Sequence, residues 1–593
     1  ARHRRHRRRP EAADVIQRGA VLVAALAVTA TCALALPQAA WAHAALLRTD
    51  PTASGTVETP PAQVALTYDE AVAPKFAVIS VTGAGGHQET TAAPAALPSD
   101  PDTIAVPVRH LAEGWYLVYW RVISADGHPV RGAFTFAVGP NPGPAPQFVI
   151  PSLSESAATP QLVATRWLVF ISMLLAAGLF AMRAVIARPV AAFAAPALRA
   201  VSFALGGVLA VALVAIPVYV LVATAGFAQR PWTDLAATVP VVRDSNLGRS
   251  FEDLELILLL FAAAAAAALW VDSGARRQRS TATLLALTGA LLAGGAALAV
   301  PGLAGHAAQT SPTALSLVLD WTHLAAAGVW LGGLAGLLIL ALRSDGEARM
   351  EVLGRVVPRF SRVAVVSVLL VIATGIGASL IHLPTLSSLW ETSYGQAILV
   401  KVALLAAALV AGGINNARTT PRLRAALERR DRGLAESGAR LLRRTVRVEV
   451  ALVSATVLAA MVLSSLPPPA KALAEVGQAS AHVGPGAVAQ TFHHGPYTVH
   501  VHVDPNRAAQ PSTFTLRLSQ GGQPVTNASV VLRFAMLDME MGTQSYTMPQ
   551  RSPGTYVRTT PALVMVGHWG VSFEIQPSGG QPFTIIVVDH AEG

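Results

Sequence analysis

The chain has 593 residues, of which 53% are hydrophobic and only 13% are charged, and its formal net charge is +10 at pH 7. This composition predicts an integral membrane protein, long enough for a helical bundle and one or two soluble domains. The positive charge comes from arginines at the N-terminus and between apolar segments, which indicates membrane orientation and argues against nucleic-acid binding. The single cysteine, Cys32, lies in the first apolar segment, which excludes disulfides and thiolate metal sites from the soluble parts. Metal chemistry therefore has to rest on histidine, methionine and carboxylate side chains.

The N-terminal segment has the pattern of a secretory signal peptide. Seven arginines in residues 1–18 precede an apolar run at 19–36, and Ala40-Trp41-Ala42 matches an A-x-A cleavage site. We therefore expect a signal peptide over residues 1–42, with an uncleaved anchor as the alternative because the apolar run is long. Cleavage after Ala42 would make His43 the first residue of the mature protein.

Residues 43–139 are predicted to form a small all-β domain, because alternating apolar segments are separated by proline, glycine and aspartate. A mature N-terminal His43 would offer its amine and its imidazole as one chelate. Asp126 and His128 would complete a tetragonal set of nitrogen and oxygen ligands, which suits Cu(II). The alternative is an ordinary Asp-Gly-His turn without a metal.

These residues resemble the CopC family of extracytoplasmic copper-binding proteins. The resemblance lies in His43 directly after the cleavage site, in residues 47–51, and in the sequence DGHPVRG at 126–132. It implies a cupredoxin-like β-sandwich that holds Cu(II) through His43, Asp126 and His128. Some members also bind Cu(I) through methionines, but this domain contains no methionine.

Eight apolar spans follow a linker at residues 140–160 and define a predicted transmembrane domain over residues 161–467. Their approximate limits are 162–187, 197–226, 254–271, 281–301, 314–342, 362–383, 396–417 and 446–466. Arginines concentrate in the loops after the first, third, fifth and seventh spans, whereas the loops after the fourth and sixth contain no lysine or arginine. The positive-inside rule therefore predicts that both soluble ends lie outside the cytoplasm of a multi-pass plasma-membrane protein.

The fifth span contains two ionisable residues, Asp320 and His323, in an otherwise apolar run. They are helical neighbours at i and i+3, and Trp330 lies two turns further along the same face. Ionisable groups within a span are costly and are functional candidates by default. We expect a site where metal enters the membrane near the outer face, formed by His306, Asp320, His323 and His382. The alternatives are a buried His–Asp hydrogen bond that only locks helix packing, and histidines that do not converge.

Residues 162–470 resemble the membrane domain of the CopD copper-resistance family. In chain order, the matching features are Gly305-His306-Ala307, residues 320–333, Arg359-Phe360-Ser361, Thr374-Gly375, residues 392–395 with Lys401, Asn415-Asn416, and Arg447 with Glu449. The resemblance implies a role in moving copper across the inner membrane. Lys401 and Glu449 are intramembrane charges, and the sequence leaves open whether they are structural partners or part of a proton or ion path. The glycine pair Gly332 and Gly333 should let another helix approach closely.

A second linker, residues 468–490, precedes a predicted β domain over residues 491–588. Its segment 497–503 alternates strictly, so His500 and His502 should share a solvated polar face. Five of the nine methionines fall in this domain, and the strand-like segment 537–542 should point Met539 and Met541 the same way. Because thioethers select Cu(I), we expect a Cu(I) site here, with methionine as core filler as the alternative. The candidate ligands are Met536, Met539, Met541, Met548, Met565 and His568.

The third resemblance is to the YtkA-like domains, and it rests on the methionine pattern together with residues 554–556 and 565–569. The fold expected for the whole chain is a multi-domain membrane protein. An all-α bundle of eight transmembrane helices is flanked by two extracytoplasmic β-sandwiches, cupredoxin-like at the N-terminal side and immunoglobulin-like at the C-terminal side.

The expected function is capture of Cu(II) outside the cytoplasm and passage of copper into or across the membrane. The expected partners are copper ions, the lipid membrane and other extracytoplasmic copper chaperones. No Walker motif is present in the sequence, so we expect neither an ATPase nor another enzyme. One alternative is copper sequestration or delivery without net transport. A haem-binding oxidoreductase with His306, His323 and His382 as axial ligands, and oxidative chemistry at the N-terminal histidine, are the others.

Overall fold

The computed structural model describes residues 46–592 with the following exceptions: 54, 69–71, 73, 124–128, 144–158, 228–231, 237–238, 240–241, 243–245, 273–278, 304–306, 308–309, 311, 467, 470, 509 and 539–542. The predicted signal peptide therefore lies outside the described residues. The chain divides into two compact units. The first comprises residues 159–381 and 399–463, and the second comprises residues 46–158, 382–398 and 464–592, each without the exceptions above.

The first unit is built from eight long helices, as the apolar spans predict. They are α1 Pro160–Ala181, α2 Ala195–Phe227, α3 Asn246–Val271, α4 Thr281–Ala297, α5 Thr313–Arg343, α6 Gly346–His382, α7 Ser393–Ile414 and α8 Arg432–Leu463. Among the described residues, eight helical segments are long and apolar enough to cross a membrane, and they establish a multi-pass membrane protein. The helices α6 and α8 begin well before the predicted spans, because their arginine-rich first turns continue the helix beyond the apolar segment.

Short helical segments connect or extend these long helices. They are Val300–Leu303, Ser388–Glu391 and Thr420–Arg429, with helical turns at Met182–Ile186, Arg188–Val190 and Asn415–Thr419. The turn Met182–Ile186 follows α1 directly and continues it. The turn Asn415–Thr419 likewise extends α7 toward the short helix Thr420–Arg429.

Glycines allow α5 to pack directly against α1 and α6. A Cβ added to Gly332 would lie 2.5 Å from the Cα atom of Gly178 in α1, which leaves no room for a side chain. A Cβ added to Gly333 would lie 2.8 Å from Cδ2 of Phe360 in α6. The close helix approach predicted from these two glycines is therefore confirmed, and it fixes the position of the helix that carries Asp320 and His323.

The N-terminal β domain is a sandwich of two four-stranded sheets. Its strands are β1 Leu46–Asp50, β2 Thr56–Val57, β3 Gln63–Tyr68, β4 Val78–Gly83, β5 Ala95–Leu97, β6 Asp100–Pro107, β7 Gly114–Ile123 and β8 Pro129–Val138. The sheets have the orders β1-β3-β6-β5 and β2-β8-β7-β4. Trp120, Phe134 and Phe136 are fully buried between them, and most of the other residues of β7 and β8 are buried as well.

The C-terminal β domain is a second two-sheet sandwich. Its strands are β9 Ala481–Val483, β10 Val488–His494, β11 Tyr497–Asp504, β12 Ser512–Gln520, β13 Gln523–Pro524, β14 Ser529–Met536, β15 Gln544–Thr547, β16 Gln550–Ser552, β17 Thr555–Thr560, β18 Gly567–Gln576 and β19 Phe583–Ala591. One sheet has the order β10-β11-β12-β17-β16, with β13 paired to β12, and the other has the order β15-β14-β18-β19-β9.

Two sequence expectations for this domain have different outcomes. In β11, Val499 and Val501 are buried while His500 and His502 are exposed, so the predicted polar face is confirmed. The prediction of a strand over residues 537–542 is wrong for Leu537 and Asp538, because β14 ends at Met536. The chain bends there, since the Asp538 carboxylate accepts a hydrogen bond from the backbone N–H of His568, at 2.8 Å. Residues 539–542 lie outside the described residues.

The two β domains pack against each other within the second unit. One apolar cluster contains buried residues of both domains. The backbone N–H of Ala133 in β8 donates to the carbonyl oxygen of Val564 at 3.0 Å. A Cβ added to Gly132 would lie 3.2 Å from Cγ of Met565, so this methionine sits directly on the strand that follows residues 124–128.

Candidate functional site

The intramembrane candidate site lies on α5, where Asp320 and His323 occupy successive turns. Asp320 packs against the short helix Val300–Leu303, since a Cβ added to Gly302 would lie 2.5 Å from Asp320 Oδ2. The next residue, Trp321, donates from its indole nitrogen to the carbonyl oxygen of Gly295 in α4 at 2.8 Å. These contacts hold the start of α5 against α4 and against the short helix Val300–Leu303.

His323 is oriented by a threonine of α6. Its Nδ1 atom lies 2.9 Å from the Thr374 hydroxyl, and that hydroxyl lies 2.6 Å from the carbonyl oxygen of Leu370. Because the carbonyl can only accept, the Thr374 proton is directed to it, and the hydroxyl oxygen accepts from Nδ1–H of His323. The Nε2 atom of His323 is then the unprotonated nitrogen, which is the form that binds a metal ion.

Lys401 of α7 completes the cluster around Asp320 and His323. Its ammonium group is near enough to act electrostatically on both side chains, with attraction to the Asp320 carboxylate. This attraction relates Lys401 to Asp320, and the choice between a structural partner and a proton or ion path stays a prediction. Its helix, α7, lies far along the chain from α5, so spacing alone did not reveal this pair.

The other two members of the predicted membrane site have different outcomes. His306 lies outside the described residues. His382 ends α6, two turns beyond Thr374, and its ring stacks on that of Tyr394 with centroids 6.4 Å apart. Within the described part of the chain, no three histidine, cysteine, aspartate or glutamate side chains come close enough to hold one metal ion. The described members Asp320, His323 and His382 therefore form no such group, and a site that includes His306 stays a prediction.

The C-terminal β domain contains a second polar cluster, centred on His568. The His568 Nδ1 atom lies 3.1 Å from Asp538 Oδ2, and both side chains are 16% exposed. His568 pairs across the sheet with His590 of β19, and their rings stack with centroids 4.7 Å apart. A Cβ added to Gly567 would lie 2.5 Å from Asp538 Oδ2 and 2.7 Å from Cε of Met536, so a methionine closes over the same glycine.

The charges in this cluster are coupled. Burial lowers the pKa of His568, but the hydrogen bond and charge of Asp538, with the charges of Asp589 and Glu391, outweigh burial and raise that pKa above its ordinary value. Burial and the neighbouring His568 lower the pKa of His590. Burial raises the pKa of Asp589 to about 6. One proton therefore resides on the stacked histidine pair more readily than two.

The predicted methionine ligands are dispersed by the fold. Met536 and Met548 are only 2% exposed and lie in the apolar core, which matches the core-filler alternative for these two. Met565 is half-buried at the contact between the β domains. Met539 and Met541 lie outside the described residues, directly after Asp538. The assignment of the five methionines to Cu(I) stays a prediction.

The predicted Cu(II) ligands His43, Asp126 and His128 all lie outside the described residues. The strands on either side of the Asp-Gly-His segment are described, however. β7 and β8 pair along their whole length and meet at Ile123 and Pro129. Ala133 and Gly132, which contact residues 564 and 565, therefore belong to β8, the strand that directly follows the Asp-Gly-His segment.

Two functional candidates were missed by the sequence reading. His590 becomes a partner of His568 only through the register of β18 and β19, which no local pattern reveals. Glu391, in the short helix Ser388–Glu391, is buried and lies 3.4 Å from His482 Nε2, measured from its Oε1 atom. The only signal in the sequence was its position beside residues 392–395.

Comparison with known families finds three matches in chain order. The CopC domain model matches residues 46–139, the model of copper resistance protein D matches residues 354–463, and the YtkA-like model matches residues 493–574. Each match falls on a part of the chain where the sequence showed the corresponding resemblance.

Individual relatives agree with this order. The copper transport protein CutJ of Bacillus subtilis (strain 168) is 24% identical over 550 residues, which cover 90% of this chain and 93% of CutJ. Copper resistance protein C of Pseudomonas syringae pv. tomato is 34% identical over 105 residues, 17% of this chain and 82% of that protein. Protein YobA of Escherichia coli (strain K12) is 34% identical over 99 residues, 16% of this chain and 80% of YobA. The crystal structure of CopC from Methylosinus trichosporium OB3b is 29% identical and covers 17% of this chain and 99% of its own, with a TM-score of 0.16.

The His568–Asp538 pair predicts a pH-dependent contribution to stability. A histidine whose folded pKa is raised stabilises the fold fully below its unfolded pKa of about 6.5, and this contribution is lost as the pH rises through the folded value. Asp538→Asn removes the charge, so it should cost roughly 1.5–3 kcal/mol at mildly acidic pH and less at alkaline pH. Thermal unfolding of the purified protein at both pH values measures this. Glu58→Gln, at an exposed carboxylate, is the control, and an equal loss at both pH values for Asp538→Asn would contradict the assignment.

Proposed function

Because the chain belongs to the CopC–CopD copper-resistance proteins and carries a YtkA-like domain after them, we propose that it captures Cu(II) at its N-terminal β domain and passes copper into or across the membrane. Copper is the cargo. The observation that carries the proposal is the buried cluster of Asp320, His323 and Lys401, in a bundle whose residues 354–463 match the model of copper resistance protein D. The name of its relative CutJ, a copper transport protein matched over 90% of this chain, supports the same function.

Capture is assigned to His43, Asp126 and His128. The amine and imidazole of a terminal His43 bind as one chelate, and the other two side chains supply a carboxylate oxygen and a second imidazole. This donor set contains no sulfur and therefore favours Cu(II) over Cu(I).

Passage through the bundle is assigned to Asp320 and His323, with Lys401 as the competing charge. The free Nε2 of His323 supplies a nitrogen ligand, and Thr374 holds its ring in the tautomer that leaves this nitrogen available. Asp320 supplies negative charge that is balanced by Lys401 while no copper is bound. An arriving copper ion replaces Lys401 as the partner of Asp320, so the cost of a buried carboxylate is offset in both states.

The C-terminal β domain is assigned to Cu(I). Met539, Met541 and Met565 with His568 are the soft ligands we propose, while the buried Met536 and Met548 support the core around them. The contact between Met565 and Gly132 favours transfer of copper between the two β domains, because the methionine already packs on the strand after Asp126 and His128.

Both β domains are proposed to lie outside the cytoplasm. The arginine-rich loops after the odd-numbered spans support this orientation. With both domains outside, the copper that they bind reaches the bundle from the outer face, where Asp320 and His323 are expected.

The topology is tested by cysteine labelling, which is practical because the only native cysteine is Cys32. Exposed positions in the two β domains, Glu58→Cys and Ser578→Cys, should react with an impermeant maleimide in intact cells. Arg429→Cys, in the arginine-rich loop after α7, should react only after permeabilisation. Labelling of either β domain only in permeabilised cells would contradict the proposed orientation.

The N-terminal chelate predicts that the free amine of His43 is a ligand. One glycine added before His43 displaces the amine and leaves all three side chains in place, so Cu(II) affinity should fall by at least about tenfold. The measurement is a competition titration of the purified full-length protein, with EPR to report the tetragonal Cu(II) signal. A protein with the extra glycine inserted in the linker after Gly143 is the control. Equal affinity of the two versions would show that the amine is not a ligand.

The intramembrane site predicts that His323→Ala abolishes copper accumulation by cells that depend on this gene, while folded protein remains in the membrane. Val318→Ala shortens an exposed side chain on the same helix, and it should leave accumulation intact. A fall in protein amount alone would make His323 a packing residue. If wild-type cells tolerate copper but show no net copper accumulation, sequestration is favoured over transport.

A further inference from the structure

A second ionisable group, Glu449 of α8, is buried in the bundle apart from the copper cluster. Its side chain is almost completely enclosed, since the residue is 3% exposed. The indole N–H of Trp330 in α5 donates to Oε1 at 3.0 Å, and the side-chain amide of Asn415, directly after α7, donates to Oε2 at 3.1 Å. Gly412 admits the carboxylate against α7, because a Cβ there would lie 3.1 Å from Oε1. Three helices therefore meet at one carboxyl group.

The carboxyl group has no charged partner among the described residues. The groups that face it are Trp330 from α5 and Asn415 at the end of α7, both neutral donors. Phe360 and Ser361 of α6 line the cavity beside the carboxyl group. On α8 itself, Thr445 lies one turn before Glu449, and Arg447, two residues before it, is exposed. An ionised carboxylate without a counter-charge inside a membrane protein is costly. Two neutral hydrogen bonds offset only part of that cost, so the group is suited to gaining and losing a proton.

The cavity beside Glu449 is suited to protons and not to copper. Its volume is about 210 Å³, which gives room for several water molecules. Its described lining contains no histidine, methionine or cysteine, so it lacks the nitrogen and sulfur ligands that copper prefers. Its side-chain amide oxygens already accept hydrogen bonds: Oδ1 of Asn415 accepts from Thr419 at 3.2 Å and from Thr445, and Oδ1 of Asn416 accepts from the Ser361 hydroxyl at 2.7 Å.

The same helix links this carboxyl group to the copper cluster. His323 and Trp330 are seven residues apart on α5, which is two turns and about 10 Å along the axis. A shift or rotation of α5 that follows copper binding at His323 would therefore change the hydrogen bond between Trp330 and Glu449. Conversely, protonation of Glu449 turns the acceptor of the Trp330 indole N–H from a carboxylate into a neutral carboxylic acid.

We propose that Glu449 is a proton-binding site whose protonation is coupled through α5 to the passage of copper. The coupling rests on the proposed function, whereas proton binding does not. Binding converts the carboxylate and one proton, delivered by water in the cavity, to a neutral carboxylic acid. Release reverses this, and no electron changes hands.

Proton binding is tested without copper in the purified full-length protein. A lipid-soluble carbodiimide adds to protonated carboxyl groups in apolar surroundings, and mass spectrometry locates the adduct. Glu449 should be labelled at about pH 5.5 and labelled progressively less toward about pH 9. Glu436, an exposed carboxylate on the same helix, should remain unlabelled by the lipid-soluble reagent. Absence of label on Glu449 across this range, or a label that does not change with pH, overturns the proton-binding site.

Coupling is tested by copper flux into vesicles that contain the protein, measured across the same pH range. Glu449→Gln keeps the size of the side chain but cannot titrate, so the pH dependence of the flux should be lost while Glu436→Gln retains it. Glu449→Asp restores a titratable group and should recover part of the pH dependence. Wild-type pH dependence in Glu449→Gln would overturn the coupling and make Glu449 a packing residue. Absence of copper flux in the wild type would instead contradict the proposed function, and the labelling result would still decide the proton site.

Discussion

The burial of ionisable side chains within an apolar bundle is the constraint on which the rest of this structure depends. A charge in such surroundings needs an opposite charge, a set of hydrogen bonds or a neutral form. The bundle uses different solutions at two places. Asp320 faces Lys401, and His323 is held by Thr374, whereas Glu449 meets only the neutral donors Trp330 and Asn415. The first arrangement suits exchange of one cation for another, and the second suits gain and loss of a proton.

The helix α5 can serve both places because glycines bring it into direct contact with its neighbours. Its C-terminal half packs backbone to backbone on α1 through Gly332 and Gly178, and Gly333 accommodates the ring of Phe360 from α6. Close packing of this kind leaves little freedom for a small movement to be absorbed locally. In the coupling that we propose, a displacement at His323 is passed along α5 to Trp330.

The two β domains differ in the metal-binding residue types that they carry. The N-terminal domain has histidine and carboxylate but no methionine, and the C-terminal domain carries five methionines and a stacked histidine pair. They share one apolar cluster and a backbone hydrogen bond from Ala133 to Val564. The domains are thus neighbours in the fold although some 350 residues of sequence separate them, and an exchange of copper between them requires no soluble carrier in the mechanism we propose.

The sequence by itself determined the eight spans, the two β domains and the three family resemblances, since hydropathy, alternation and motifs are local properties of the chain. It also singled out Asp320, His323 and the methionines, because ionisable groups in a span and clustered thioethers are visible without a fold. Only the tertiary structure decided which of these side chains meet. Lys401 attracts Asp320 electrostatically, and Trp330 reaches Glu449 across 119 residues of sequence. Those pairs depend on how helices from distant parts of the chain pack, and on strand register in the case of His568 and His590, which no local pattern encodes.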